Sequence, residues 1–174
     1  MDDKKPGILT HVDQDGKASM VDTSAKPASR REARAGAVCT MTPATAKAIR
    51  ENQIKKGDVL NVARLAGICA AKRTSELIPL CHTIPLEKVS VDFHWLNETS
   101  LEIEAQAISI GRTGVEMEAL VAASTAALTI YDMCKSSDRE LTVNQVRVLS
   151  KSGGTRGEFV HSAAESDEPK SNEN

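Results

Sequence analysis

Aromatic side chains are scarce: Phe93, Trp95, Tyr131 and Phe159 are the only four in 174 residues. A core of ordinary density must then be assembled from aliphatic residues and alanine. Long apolar runs are missing too. The opening "MDDKKPGILTHVDQDGK" has no apolar stretch of the secretory type, and "ALVAASTAALTIYDMC" is too short to cross a bilayer and ends in charge. No membrane partner and a cytoplasmic setting are therefore expected. A formal net charge of −2 supplies no broad attraction to nucleic acid. Nor is there a C-x-x-C pair. Cys39, Cys69, Cys81 and Cys134 lie far apart, which excludes zinc-finger spacing and, with no export signal, favours reduced thiols.

What is present suits one domain. The chain is 40% hydrophobic and 26% charged, and its length allows a single well-filled core. Residues 1–30 are polar and without period, so a flexible N-terminal arm is expected there, followed by one domain over 31–160 and a disordered tail over 161–174. Inside the domain "AVCTM" reads as a short strand. Thr42 and Pro43 start a helix over "TPATAKAIREN", and Asp58 caps a second through "VLNVARLAGICAAKRTSEL", whose Ala63, Ala66, Gly67, Ala70 and Ala71 allow another element to approach closely. Val89, Val91, Phe93 and Trp95 alternate with polar residues, as do Leu101, Ile103, Ala105 and Ala107, and "NETS" between them makes a hairpin. A third helix runs over roughly Gly114 to Lys135, and "ELTVNQVRVLS" is the last strand. This order predicts an α+β ferredoxin-like sandwich, an antiparallel sheet with helices on one face.

Several segments carry residues capable of chemistry. In "ELIPLCHTIPL", Pro79 and Pro85 stiffen a non-helical connector that can aim His82 reproducibly. From this segment alone the favoured reading is plainer: leucines fill the core and His82 satisfies a backbone group. A metal is disfavoured, since adjacent Cys81 and His82 diverge in extended chain, and a lone Cys81 is more often packing than nucleophile. In the third helix, Glu116 and Glu118 near the start and Lys135 near the end suit the helix dipole, which suffices to explain them. Asp132 opposes that dipole. Set three residues before Lys135 among apolar neighbours, it suggests a partly buried pair able to exchange a proton, although a structural ion pair is the commoner outcome.

Fourteen residues separate Glu118 from Asp132, roughly 21 Å of helix, so a single small substrate cannot reach both in one chain. One site containing both requires an extended ligand or a second subunit. "LSKSGGTRGEF" offers Lys151, Arg156 and glycines after a strand, a weak anion signal beside the plain reading of a flexible exit loop. "KKGD", including Lys56, is first a helix-start turn, and "RREAR" reads as a solvated charge run.

Taken in order, "MVDTSAK", "REAR", "KKGDVL", "AAKRTSELIPLCH", "TGVEMEAL", "ALTIYDMCK" and "KSGGTRGEF" closely resemble the cyclic pyranopterin monophosphate synthase family, also called the molybdenum cofactor biosynthesis protein C family. The likeness covers roughly Leu9 to Phe159. It implies a lyase that converts 3′,8-cyclo-7,8-dihydro-GTP to cyclic pyranopterin monophosphate and pyrophosphate. It further implies a hexamer, a trimer of dimers, with sites between subunits. By matching motif positions, Asp132, Lys135 and Lys56 would be the catalytic acid–base groups. Leu80, Cys81, His82, Met117 and Glu118 would contact substrate, and Arg31 and Lys151 would hold the triphosphate. No protein-bound cofactor or metal is implied, although Mg²⁺ can accompany the phosphates. Two positions depart from the family pattern: Thr83 stands where proline is usual and is expected to loosen the His82 loop, and Arg112 stands where lysine is usual and changes donor geometry. Two other readings come from different classes. One is a ferredoxin-like module that binds a small anion without chemistry. The other, RNA binding on the sheet, is disfavoured because Phe93 and Trp95 share the expected core face.

Overall fold

The structure, a computed structural model, describes residues 17–154 and 157–162. Expectations for most of the N-terminal arm, for nearly all of the tail and for Arg156 fall outside those residues. The elements run β1 Ser29–Thr40, α1 Pro43–Arg50, α2 Val59–Ala71, α3 Thr74–Leu77, β2 Lys88–Trp95, β3 Ser100–Gly111, α4 Glu116–Cys134, β4 Thr142–Ser152 and β5 Phe159–Val160. They build one sheet in the order β2-β3-β1-β4-β5, with every neighbouring pair antiparallel. α4 lies across β1, β3 and β4, and α2 packs on α4 and β2, so the α+β ferredoxin-like architecture holds.

Local chemistry accounts for these elements. The Thr42 hydroxyl accepts from the Thr45 amide at 3.4 Å, with Pro43 in the first turn, and the Asp58 carboxylate accepts from the Asn61 amide at 3.0 Å. Asp138, itself buried, accepts from the Thr42 amide at 2.8 Å and fastens the start of α1 to the end of α4. Asn97 closes the β2–β3 turn by accepting from the Thr99 and Ser100 amides at 2.9 and 2.8 Å.

The helix-facing side of the sheet is lined by Ala33, Ala35, Ala37 and Cys39 on β1, opposite Ala107, Ala105, Ile103 and Leu101 on β3, all buried. Ala119, Ala122, Ala123, Ala126 and Ala127 of α4 are buried against this core. Small residues on both surfaces let the helix approach closely, which is how so few aromatics fill the interior. At Gly67 of α2 an added Cβ would lie 2.8 Å from the Ala122 carbonyl oxygen, so the α2–α4 contact tolerates no side chain there. Phe93 and Trp95 are half-buried on the core side, with the Arg64 guanidinium 5.2 Å from one ring and the Arg50 guanidinium 3.9 Å from the other. An RNA-reading sheet would need those rings bare.

Three expectations need correction. The first strand is 12 residues long and takes in the "RREAR" segment, so its charges are strand positions: Arg30, Glu32 and Arg34 share one face, where the two arginines are exposed, and Arg31 lies on the other. The helix predicted through Leu77 ends at Ala71, and Thr74–Leu77 forms a separate short turn of helix. Lys151 belongs to β4 itself, and the glycine loop begins after Ser152.

Candidate active site

Where α4 begins, five stretches of chain converge on a cleft of about 320 Å³. The start of β1 contributes Arg31. The connector after α3 contributes Leu80, Cys81 and His82. The β3–α4 turn and first helical turn contribute Glu116, Met117 and Glu118, β4 contributes Lys151, and the segment before β1 contributes Val21, Thr23 and Lys26. Seven of the residues singled out from sequence therefore line one cleft: Arg31, Leu80, Cys81, His82, Met117, Glu118 and Lys151.

Cations and carboxylates are placed unevenly in it. Arg31 Nε donates to the Gly111 carbonyl at 3.2 Å, which fixes the guanidinium at the cleft edge. Lys151 Nζ lies 2.8 Å from Glu116 Oε1. Burial alone would raise the Glu116 pKa, but the Lys151 ammonium, with Arg31 nearby, holds it below the ordinary glutamate value. Glu118, two residues on, behaves oppositely. It is only 3% exposed and its Oε2 has no hydrogen-bond partner. Burial, with the negative charge of Glu116 adding to it, pushes its pKa up to about 7. The cleft thus holds, on the same helical turn, one carboxyl group kept ionised and one that titrates near neutrality.

His82 satisfies a backbone group, as its segment suggested, and faces the cleft as well. Its Nε2 is 2.9 Å from the Val21 carbonyl; a carbonyl only accepts, so that nitrogen carries the proton. The bond ties the segment before β1 to the His82 connector. In the same connector the Thr83 hydroxyl donates to Ser75 Oγ at 3.1 Å. The Cys81 thiol is pushed up by burial and by the nearby Glu118, the wrong direction for a thiolate nucleophile. Among the described residues no cluster of three or more His, Cys, Asp or Glu side chains is arranged to hold a metal.

The remaining three residues lie together elsewhere. Lys56, in the turn between α1 and α2, reaches the last turn of α4, where its Nζ is 3.1 Å from Asp132 Oδ2 and 2.7 Å from the Asp132 carbonyl. Lys135 Nζ is 2.6 Å from Asp132 Oδ1. The pairing expected for Asp132 and Lys135 is present, but partial burial is not: Asp132 is 58% exposed and Lys135 52%. Lys135, then Lys56, lowers the Asp132 pKa, and Asp132 raises that of Lys135. Both groups are thus driven toward their charged forms, away from the neutral range that proton transfer needs. They stand at the opposite end of α4 from Glu118 and do not line the cleft.

Sequence reasoning undervalued three groups that the cleft contains. Glu116 was accounted for by the helix dipole. Lys26 sits inside the "MVDTSAK" motif, and Arg112 was seen only as a departure from the family pattern; both line the cleft. Comparison with known proteins settles the relationship. Residues 20–154 match the model of the MoaC family. The chain belongs to the MoaC family. Among MoaC relatives, the cyclic pyranopterin monophosphate synthase of Heliobacterium modesticaldum is 54% identical over 155 residues, covering 87% of this chain and 96% of that protein. That of Thermomicrobium roseum is 52% identical over 150 residues, covering 86% and 90%. The molybdenum cofactor biosynthesis protein 1 of Drosophila melanogaster is 54% identical over 149 residues, which cover 85% of this chain and 26% of that longer protein.

Proposed function

We propose that this chain is a cyclic pyranopterin monophosphate synthase, a lyase of molybdenum cofactor biosynthesis that converts 3′,8-cyclo-7,8-dihydro-GTP to cyclic pyranopterin monophosphate and pyrophosphate. The observation that carries the reading is the convergence of Arg31, His82, Glu118 and Lys151, from four separate segments, on one cleft. The near relatives bearing that name support it at about half identity over most of their length.

The chemistry requires a phosphoanhydride to be broken while a hydroxyl oxygen of the substrate closes on phosphorus. Charge then accumulates on the departing pyrophosphate, and Arg31 and Lys151 are the cations that offset it. Mg²⁺ travelling with the phosphates would add to that. Rebuilding the purine-derived ring moves protons on and off nitrogen and oxygen. Glu118, poised near neutrality, can give or take a hydrogen bond with a ring atom there. Lys56, Asp132 and Lys135 supply the acid–base steps when a second subunit brings its cluster to this cleft. Enclosure between subunits would also strip water from Asp132 and Lys135, moving both pKa values toward the range proton transfer requires. Val62 and Leu65 on α2 and Leu128 on α4 are exposed aliphatic residues that suit assembly, and a hexamer in the cytoplasm is the proposed form.

The purified, assembled protein incubated with the cyclised nucleotide should release pyrophosphate and yield the cyclic phosphate, followed by phosphate assay and mass spectrometry. Recovery of the nucleotide intact would reject the enzyme in favour of a module that only binds.

A further inference from the structure

Two glycines, Gly114 in the cleft lining and Gly154 behind the cleft-lining Arg31, lack room for a side chain because charged groups already occupy the space. Gly154 has a left-handed φ of +84°, and a Cβ there would collide with Nη1 of Arg31. Gly114, in the β3–α4 turn, would collide through its Cβ with Oε2 of Glu116, the carboxylate whose other oxygen accepts from Lys151 at 2.8 Å. In both cases the obstructing atom is the far end of a flexible side chain. At Gly114 an added methyl would therefore move a charged group while leaving the strand and helix in place, whereas at Gly154 it would also strain the left-handed turn. Gly153 differs, because its Cβ would strike the backbone carbonyl of Arg30 and disturb the β1–β4 pairing itself.

Arg31 is held from two sides. Its Nε is anchored on the Gly111 carbonyl at 3.2 Å, and the Gly154 turn closes against the opposite end of the guanidinium. The anchor uses one of its five N–H donors. Lys151 is held through Glu116, whose carboxylate can fold back only because Gly114 leaves the space open. We propose that Gly154 and Gly114 are positioning residues for the polyphosphate: Gly154 seats Arg31, and Gly114, through Glu116, seats Lys151. This rests on the assignment of Arg31 and Lys151 to the phosphates under the proposed function.

The test is calorimetric titration of the assembled protein with inorganic pyrophosphate, using paired variants. Gly154→Ala should weaken pyrophosphate binding about tenfold, the scale of one displaced charge-assisted contact. In an Arg31→Ala background the same substitution should change affinity by no more than about twofold, since the group it displaces is gone. Gly114→Ala, which carries no left-handed φ, should do the same against Lys151→Ala and remains informative if Gly154→Ala fails to fold. Unchanged affinity in both glycine variants would overturn the proposal. So would equal losses with and without the cation, which indicate general distortion of the wall. If Arg31→Ala and Lys151→Ala themselves leave pyrophosphate binding intact, the phosphate assignment fails first and this inference falls with it.

Discussion

Replacing Glu118 by glutamine should abolish the pH dependence that its burial imposes. Glu118 is 3% exposed, with Oε2 unpartnered, and its pKa is raised from the ordinary 4.5 to about 7. The folded chain therefore binds a proton more tightly at this site than the unfolded chain does. Below about pH 4.5 the carboxyl is protonated in both states and imposes no penalty. Between 4.5 and 7 the unfolded state ionises first, so stability falls as pH rises, and above 7 the full penalty is present. At about 1.4 kcal/mol per pKa unit, that penalty is about 3 kcal/mol. Glu118→Gln keeps the shape and removes the titration. Urea denaturation of both proteins at matched concentration, from pH 4 to pH 8.5, should show the variant gaining on the wild type by about 3 kcal/mol across that interval. Any fixed cost of the amide shifts the difference equally at every pH, so its slope is the readout. A pH-independent difference would refute the burial argument.

Lys56→Ala, Asp132→Ala and Lys135→Ala should each lower turnover by about 10²-fold or more and cost far less in stability, because within each chain the cluster is exposed and screened and contributes little to folding. Turnover within a few-fold of wild type would remove the residue concerned from the acid–base assignment. Gly67→Ala should destabilise by about 1–3 kcal/mol, since its methyl meets the Ala122 carbonyl, a backbone atom that cannot swing aside. Thermal melting checks this, and an unchanged Tm would mean that α2 and α4 are packed less tightly than described.

Local signals in the chain mapped well onto structure where a side chain meets its own backbone neighbourhood. Thr42 and Asp58 start helices by capping amides three residues on, Pro43 fits the first helical position, and period-two alternation marked β2 and β3. β1 was harder to see because its buried face is mostly alanine, which contrasts weakly with the arginines and glutamate between. The break between α2 and α3 falls at Lys72 and Arg73, both good helix formers, so propensity could not mark it. Of the site, the Asp132–Lys135 contact follows from helical spacing alone, whereas the approach of Lys56 spans 76 residues of sequence and is set by tertiary packing. Glu118 was picked out only by the family resemblance, and its burial was hidden by a sufficient local explanation: a glutamate in a first helical turn suits the dipole whether or not it is buried.

The cleft and the Lys56–Asp132–Lys135 cluster sit at opposite ends of α4, and the proposed site joins them across a subunit boundary. The most direct measurement mixes two inactive proteins, His82→Ala and Lys135→Ala, unfolds and reassembles them together, and assays turnover of the cyclised nucleotide. Mixed particles contain boundaries where an intact cleft meets an intact cluster, so activity should return to a substantial fraction of wild type. Verified mixed particles with no recovered turnover would show that both halves must lie on one chain, and the composite site would be wrong.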